Sequence, residues 1–266
     1  MKLSVALATY NEEGNLPRCL ESVKLFADEI VVVDGSSEDK TRQIARRYGA
    51  RVIKTVNRPM FHTNKQMAID AASSDWILQL DADEQVDEEL AKEIVSVIKK
   101  GSPFSAFAIK RKNFFLGTWL HKGGQYPDPV IRLFRKGKAY LPQRSVHEQM
   151  EVKGRVEQLN GHLRHFTAPT FSRYLTNANR YTSLTAEELN RKKLALNSGN
   201  FLEYFFIRPL VTFVRIYIRH KGFLDGFPGF IFALFSGLHW QIAYMKYWEA
   251  KYTTNHPQEN ARQINH

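Results

Sequence analysis

Cysteine is almost absent: Cys19 is the single one in 266 residues. That excludes an intrachain disulfide and any cysteine-rich metal site. The neighbouring Leu16, Leu20 and Val23 read as one helix face, so the thiol is expected as a small buried hydrophobe. The apolar run Leu3 to Ala8 has strand length and reads as a strand rather than an export segment; the chain is expected to stay on the cytoplasmic side. Helix-turn-helix, zinc-ligand and aromatic RNA-binding patterns are missing, which argues against a nucleic-acid-binding module. A glycine-rich, Arg/Lys-bearing phosphate loop is missing from Thr9 to Gly14, which argues against a nucleotidyltransferase. Acids are in deficit, 27 against 38 Lys plus Arg, for a net charge of +11. Such an excess suits an anionic partner: a nucleotide, a nucleic acid or an acidic lipid surface. The hydrophobic fraction, 43%, is that of a globular protein, neither disordered nor polytopic.

Strand and helix patterns alternate through the first hundred residues. Apolar runs at Leu3–Ala8, Glu29–Asp34, Arg51–Val56 and Trp76–Leu80 read as strands. The β-branched run before Asp34 marks a strand buried on both faces of a parallel sheet. Helical spacing follows at Leu16–Leu25, Asp39–Tyr48, Asn64–Ala72 and Glu88–Lys99. The expected architecture is α/β, an open, mostly parallel, doubly wound sheet. Ligands of such sheets bind beyond the carboxyl ends of the strands. Three polar clusters stand at those ends: Thr9–Glu13, Asp34–Ser37 and Asp81–Glu84.

Asp81 and Asp83, two positions apart directly after the fourth strand, can approach one hard cation or divide between metal and ribose. Mg²⁺ or Mn²⁺ suits such oxygen donors and keeps coordination sites for substrate phosphates. Four segments, ATYNEE (Ala8–Glu13), IVVVDGSS (Ile30–Ser37), NKQMA (Asn64–Ala68) and LDADE (Leu80–Glu84), together resemble the ordered motif set of family 2 glycosyltransferases. The resemblance implies a GT-A fold and inverting transfer from a nucleotide sugar. It places Thr9, Asn11 and Glu13 on the nucleotide side and makes Asp34 an acceptor for the base. Lys65 falls near the nucleotide or diphosphate, Asp81 near ribose or metal, and Asp83 becomes the direct metal ligand. Where the family often has two adjacent acids after the second strand, Gly35 follows Asp34 here.

From about residue 104 the pattern changes to alternating strands and turns. The segment YPDPVIRLFR (Tyr126–Arg135), with Val146-His147-Glu148, resembles the bacterial branch that builds lipopolysaccharide core and related surface glycans. That branch places a His-Glu pair here, so Glu148 is the implied general base, with Asp128 as runner-up. His147 would orient the base, contact phosphate or approach the metal. Arg132 and Arg135 lie three apart on a strand and therefore face opposite ways; Arg132 is taken as the site-facing one.

The C-terminal region is apolar and basic. Phe227–Met245 has 19 residues without an acid or base, interrupted by Pro228, Gly229, Gly237, His239 and Gln241. Residues 151–266 carry 15 basic and 8 acidic groups. An amphipathic or re-entrant membrane-associating helical tail over 196–266 is expected, with 201–250 meeting the membrane surface. The remainder divides into a nucleotide-sugar half, 1–100, and an acceptor half, 101–195. The resulting expectation is inverting, metal-dependent transfer from a UDP-sugar to a lipid-linked glycan acceptor, in lipopolysaccharide core or related surface-glycan synthesis, at the cytoplasmic face of the inner membrane. A polyprenyl-phosphate sugar synthase is the alternative, since it shares the donor machinery.

Overall fold

The computed structural model describes residues 1–58, 60–142 and 149–255. Two compact units result, one of residues 1–113 with 127–166 and one of 114–126 with 167–266. Residues 101–195 are thus distributed over both units.

The first unit is built on β1 (Leu3–Thr9), β2 (Glu29–Asp34), β3 (Arg51–Lys54) and β4 (Trp76–Asp81), interleaved with α1 (Leu16–Glu21), α2 (Thr41–Arg47) and α3 (Phe61–Ala71). These four strands pair in parallel in the order β3-β2-β1-β4. Helices cover both faces. Leu3, Val5 and Leu7 pack with Leu16, Leu20 and Ala45 on one side, while Ala6, Val33 and Ile77 pack with Ala68 and Ile69 of α3 on the other. Alternate residues of a strand point to opposite faces, so strands apolar at nearly every position suit such a double cover.

The expectation of a mostly parallel sheet needs correction. After β5 (Glu84–Val86) and α4 (Glu88–Lys100), the chain continues through β6 (Ala106–Phe115), β7 (Thr118–Trp119), β8 (Asp128–Arg135), β9 (Ala139–Tyr140), β10 (Glu151–Val152) and β11 (Val156–Ala168). The sheet continues from β4 through β8, β6 and β11 to β5, and the pairs β4–β8, β6–β8 and β11–β5 are antiparallel. Parallel neighbours need a crossover of a dozen or more residues, usually a helix. Among the described residues no α-helix lies between Lys100 and Phe171, and the later strands join antiparallel. β9 and β10 form a separate two-stranded ladder.

Gly161 of β11 fixes a close approach to α4. A Cβ there would lie 2.4 Å from the Leu90 backbone, and Glu93 accepts from the Gly161 and Asn160 amides at 2.8 and 2.9 Å. Asp87 caps α4 by accepting from the Leu90 amide at 2.8 Å.

The second unit is helical. It comprises α5 (Phe171–Arg191), α6 (Ser198–Leu202), α7 (Arg208–Val214) and α8 (Gly226–Asn255). Wide π turns at Glu203–Ile207 and Arg215–Arg219 flank α7, and a 3₁₀ turn at Gly222–Asp225 precedes α8. Tyr204, Tyr244, Tyr247, Ala186 and Leu189 form its core. Lys246 reaches into a polar niche and donates to the Asn179 carbonyl, Thr182 and Ser183 at 2.6, 2.8 and 2.9 Å. Gly237 lets α8 close on α7, since a Cβ would sit 2.8 Å from the Pro209 carbonyl. No helix among the described residues is long and apolar enough to cross a membrane.

Candidate active site

Strand register brings the sequence motifs to one rim. Thr9 pairs with Asp34 across β1 and β2, and Ala8 pairs with Asp81 across β1 and β4. The carboxyl ends of three adjacent parallel strands therefore lie side by side, where open α/β sheets bind ligands.

Asp34 is fully buried and saturated from within the chain. Its Oδ2 accepts from Thr9 Oγ1 at 3.1 Å and Ser37 Oγ at 2.5 Å, and its Oδ1 accepts from the Ser37 amide at 2.9 Å. Arg42 stands 3.6 Å away. The first two loops are laced together in the same manner. Asn11, at positive φ, accepts from the Glu38 amide at 2.9 Å, and Glu13 accepts from the Lys40 amide at 3.0 Å. In this geometry Asp34, Asn11 and Glu13 shape the rim by holding backbone amides.

Charges alternate along the next part of the rim. Lys65 Nζ lies 2.5 Å from Asp81 Oδ1, and Arg132 Nη2 lies 2.6 Å from Asp81 Oδ2 and 2.7 Å from Glu84 Oε1. Arg132 also donates to Gln79. Glu84, buried, receives the Asp81 amide at 2.9 Å and has Arg111 at 3.7 Å. Arg111 in turn donates through Nε and Nη2 to Asp128 Oδ2 at 3.0 and 2.7 Å, and Asn113 Nδ2 reaches the same oxygen at 3.0 Å. Burial alone would raise the Asp81 carboxyl, but Arg132 and then Lys65 hold it well below the usual carboxylate range. Burial would likewise lower Arg132, yet Asp81 and Glu84 raise it and keep it charged.

Asp83 is placed differently. Its ion-pair partner is His165, with Nε2 at 3.5 Å from Oδ2, and His165 Nδ1 meets Asn113 Oδ1 at 2.7 Å. Pairing of His165 with Glu84 across β11 and β5 brings this histidine to the rim. Burial lowers the imidazole, but Asp83 outweighs it and raises the His165 pKa. Glu84, Gln79, Arg111, Asn113 and His165 were not singled out as site residues from the sequence. The LDADE motif held a signal for Glu84, and the lone Gln79 inside an apolar strand held another.

The chain matches the model of glycosyl transferase family 2 over residues 4–144, just over half its length. It belongs to that family. It is 27% identical over 252 residues to the lipopolysaccharide core biosynthesis glycosyltransferase LpsC of Rhizobium meliloti, covering 90% of this chain and 89% of that one. An uncharacterized glycosyltransferase of Rickettsia typhi is 28% identical over 244 residues, covering 86% and 81%. Among solved structures, S. aureus TarS in complex with UDP-GlcNAc is similar at 18% identity and a TM-score of 0.48, covering 99% of this chain and 92% of that one.

For this glycosyltransferase the donor set can be weighed against a divalent cation. Both Asp81 oxygens are committed to Lys65 and Arg132. Asp83 and His165 offer one carboxylate and one imidazole on a shared edge, and among the described residues no group of three or more such donors is assembled. Mg²⁺ and Mn²⁺ sites commonly take one or two protein carboxylates and complete the shell with substrate phosphates and water. The oxygen donors of Asp83 fit such a site chemically, and His165 stands beside them. Arg132 faces the acids, as its strand position requires, while Arg135 turns to the Ser102 carbonyl at 2.6 Å and stacks over Trp76. His147 and Glu148 lie outside the described residues.

Proposed function

We propose that this glycosyltransferase moves a sugar, with inversion, from a nucleotide-diphosphate sugar to a lipid-linked glycan acceptor. UDP is the favoured nucleotide, and the acceptor belongs to lipopolysaccharide core or related surface-glycan synthesis at the cytoplasmic face of the inner membrane. The observation that carries the reading is the unequal treatment of the two rim aspartates. Asp81 is neutralised by two fixed cations, whereas Asp83 faces a titratable imidazole. The likeness to LpsC along nearly the whole of both chains supports the acceptor class.

In this reading Lys65 and Arg132 provide positive charge beside the diphosphate, and Asp83 with His165 would hold Mg²⁺ or Mn²⁺. Such a cation stabilises the charge that gathers on the departing diphosphate. As the acceptor oxygen bonds to the anomeric carbon, the bond from that carbon to the phosphate oxygen breaks, and the acceptor proton passes to a carboxylate base. Glu148 is assigned that role. Asp128 serves less well because three donors already converge on its Oδ2. The exposed apolar helices of the second unit would rest in the membrane interface and bring the lipid-linked acceptor near.

A thermal-shift screen of nucleotide sugars, each with Mn²⁺, Mg²⁺ or chelator, tests the donor site. One donor should stabilise the protein in a metal-dependent way, and Asp83→Ala should abolish both that response and transfer. Full transfer by Asp83→Ala under chelation would refute the mechanism. Glu148→Gln should still bind donor while turnover is lost.

A further inference from the structure

The second unit carries a groove that the transfer reaction does not use. It has a volume of about 450 Å³ and is walled by Glu203, Ile207, Arg208, Val211, Arg215 and Trp240. Its surroundings are unusual for a surface. Eleven large apolar side chains between Phe201 and Phe227 are each at least 43% exposed. Leu202, Phe206 and Leu210 recur every fourth residue, with Val211, Val214 and Ile218 along the adjoining row. An apolar area of this extent marks a binding surface, and no described helix can span a bilayer.

Charge selects the occupant. Both acids of this stretch are already satisfied. Glu203 is bound by Arg208 Nε and Nη2, each at 2.7 Å, and Asp225 accepts from the His121 and Lys122 amides at 3.0 and 2.8 Å. The Arg208 guanidinium is further fixed over the Tyr204 and Trp240 rings, 4.3 and 5.0 Å from their centroids. Arg215, exposed on the groove wall, has no acidic partner among the described residues, and Arg219 and Lys221 follow it in the chain. The groove therefore couples a held guanidinium and an uncompensated one to apolar walls. This matches a phosphate group attached to hydrocarbon.

We propose that this groove seats the phosphate of an anionic membrane phospholipid, with Arg215 as its principal cation and Arg208 as a second one tempered by Glu203. The exposed leucine and phenylalanine rows lie in the acyl region around it. The proposal rests on the membrane-facing reading of the second unit and adds the ligand and the residues that select it.

The test is flotation of the full chain with neutral phosphatidylcholine vesicles and with vesicles containing phosphatidylglycerol. Arg215→Gln should weaken partitioning into anionic vesicles about fivefold, the factor that one basic residue contributes near such a surface. Arg215→Lys should recover most of it. Glu203→Gln, which frees Arg208, should strengthen anionic partitioning by about two- to fivefold. Binding to neutral vesicles should change in none of them, and unchanged thermal midpoints verify folding. If Arg215→Gln and Glu203→Gln leave the anionic preference untouched, the groove assignment is overturned while the membrane reading stands. If the wild-type chain floats with neither vesicle, both fall. A dimer in sedimentation that Leu210→Ser dissociates, without vesicle binding by the wild type, also overturns the proposal by assigning the face to a second copy.

Discussion

In the α/β unit, β1 and β4 bury almost every side chain, and even the acids at their ends are matched to cations inside the chain. In the helical unit the run from Phe201 to Phe227 leaves eleven large apolar groups in the open while its acids are tied down. One unit thus spends hydrophobic burial on its own stability, and the other keeps apolar area uncovered. The difference teaches that hydrophobic content alone does not locate a core. What matters is whether a second face is supplied. α1, α2 and α4 cover one side of the sheet and α3 the other, whereas the outer rows of the helix around α7 meet no such cover.

Substitutions can break or sharpen this contrast. Arg132→Met strands Asp81 and Glu84 without their shared partner and should cost about 3–5 kcal/mol in a urea titration. Leu78→Ala, at a fully buried position, should cost about 2–5 kcal/mol by the same measurement. Glu29 offers a pH-dependent version. Burial would raise its carboxyl, but hydrogen bonds from Ser4, Ser73 and Arg51 bring it down to about 2. Because the folded value lies below the ordinary one of 4.5, this contribution is fully present above pH 4.5 and fades as pH falls toward 2. Discounted for solvent screening, it amounts to about 1–2 kcal/mol. The stability gap between wild type and Glu29→Gln, followed by urea titration from pH 6 to pH 2.5, should narrow accordingly; a gap independent of pH would contradict it. The smallest effect belongs to the helical unit. Leu210, 62% exposed, should tolerate Ser within about 0.5 kcal/mol. A cost for Leu210→Ser equal to that of Leu78→Ala would erase the comparison.

The sequence made the parallel half of the sheet legible because its strands are uninterrupted runs of buried, often β-branched residues such as Ile30–Val33. Strand direction is not written in such runs, so the antiparallel half emerged only from pairing. The rim followed the same division. Thr9, Asp34, Lys65, Asp81, Asp83 and Arg132 were singled out from motifs, and the fold gathers them in one unit. His165 and Asn113 reach that rim only through the register of β11 and β6, which local spacing does not encode. Arg111 is hidden for another reason: a basic residue between Lys110 and Lys112 reads as solvated until its partners Asp128 and Glu84 are placed. The closed state of Asp34 was equally invisible, since its partners Thr9 and Ser37 are ordinary loop residues outside a folded context.

The two borders of the large sheet have a bearing on handling a chain with so much uncovered apolar area. β3 has four residues and presents exposed Arg51 and Lys54 at its ends, and β5 has three residues. Unpaired strand borders template intermolecular β-ladders, and brevity together with fixed positive charge blunts them. Fibrillar, strand-to-strand growth is thereby discouraged at the sheet. Self-association at high concentration should instead be of the detergent-reversible kind, helix face against helix face, and a mild surfactant should disperse it without unfolding the protein.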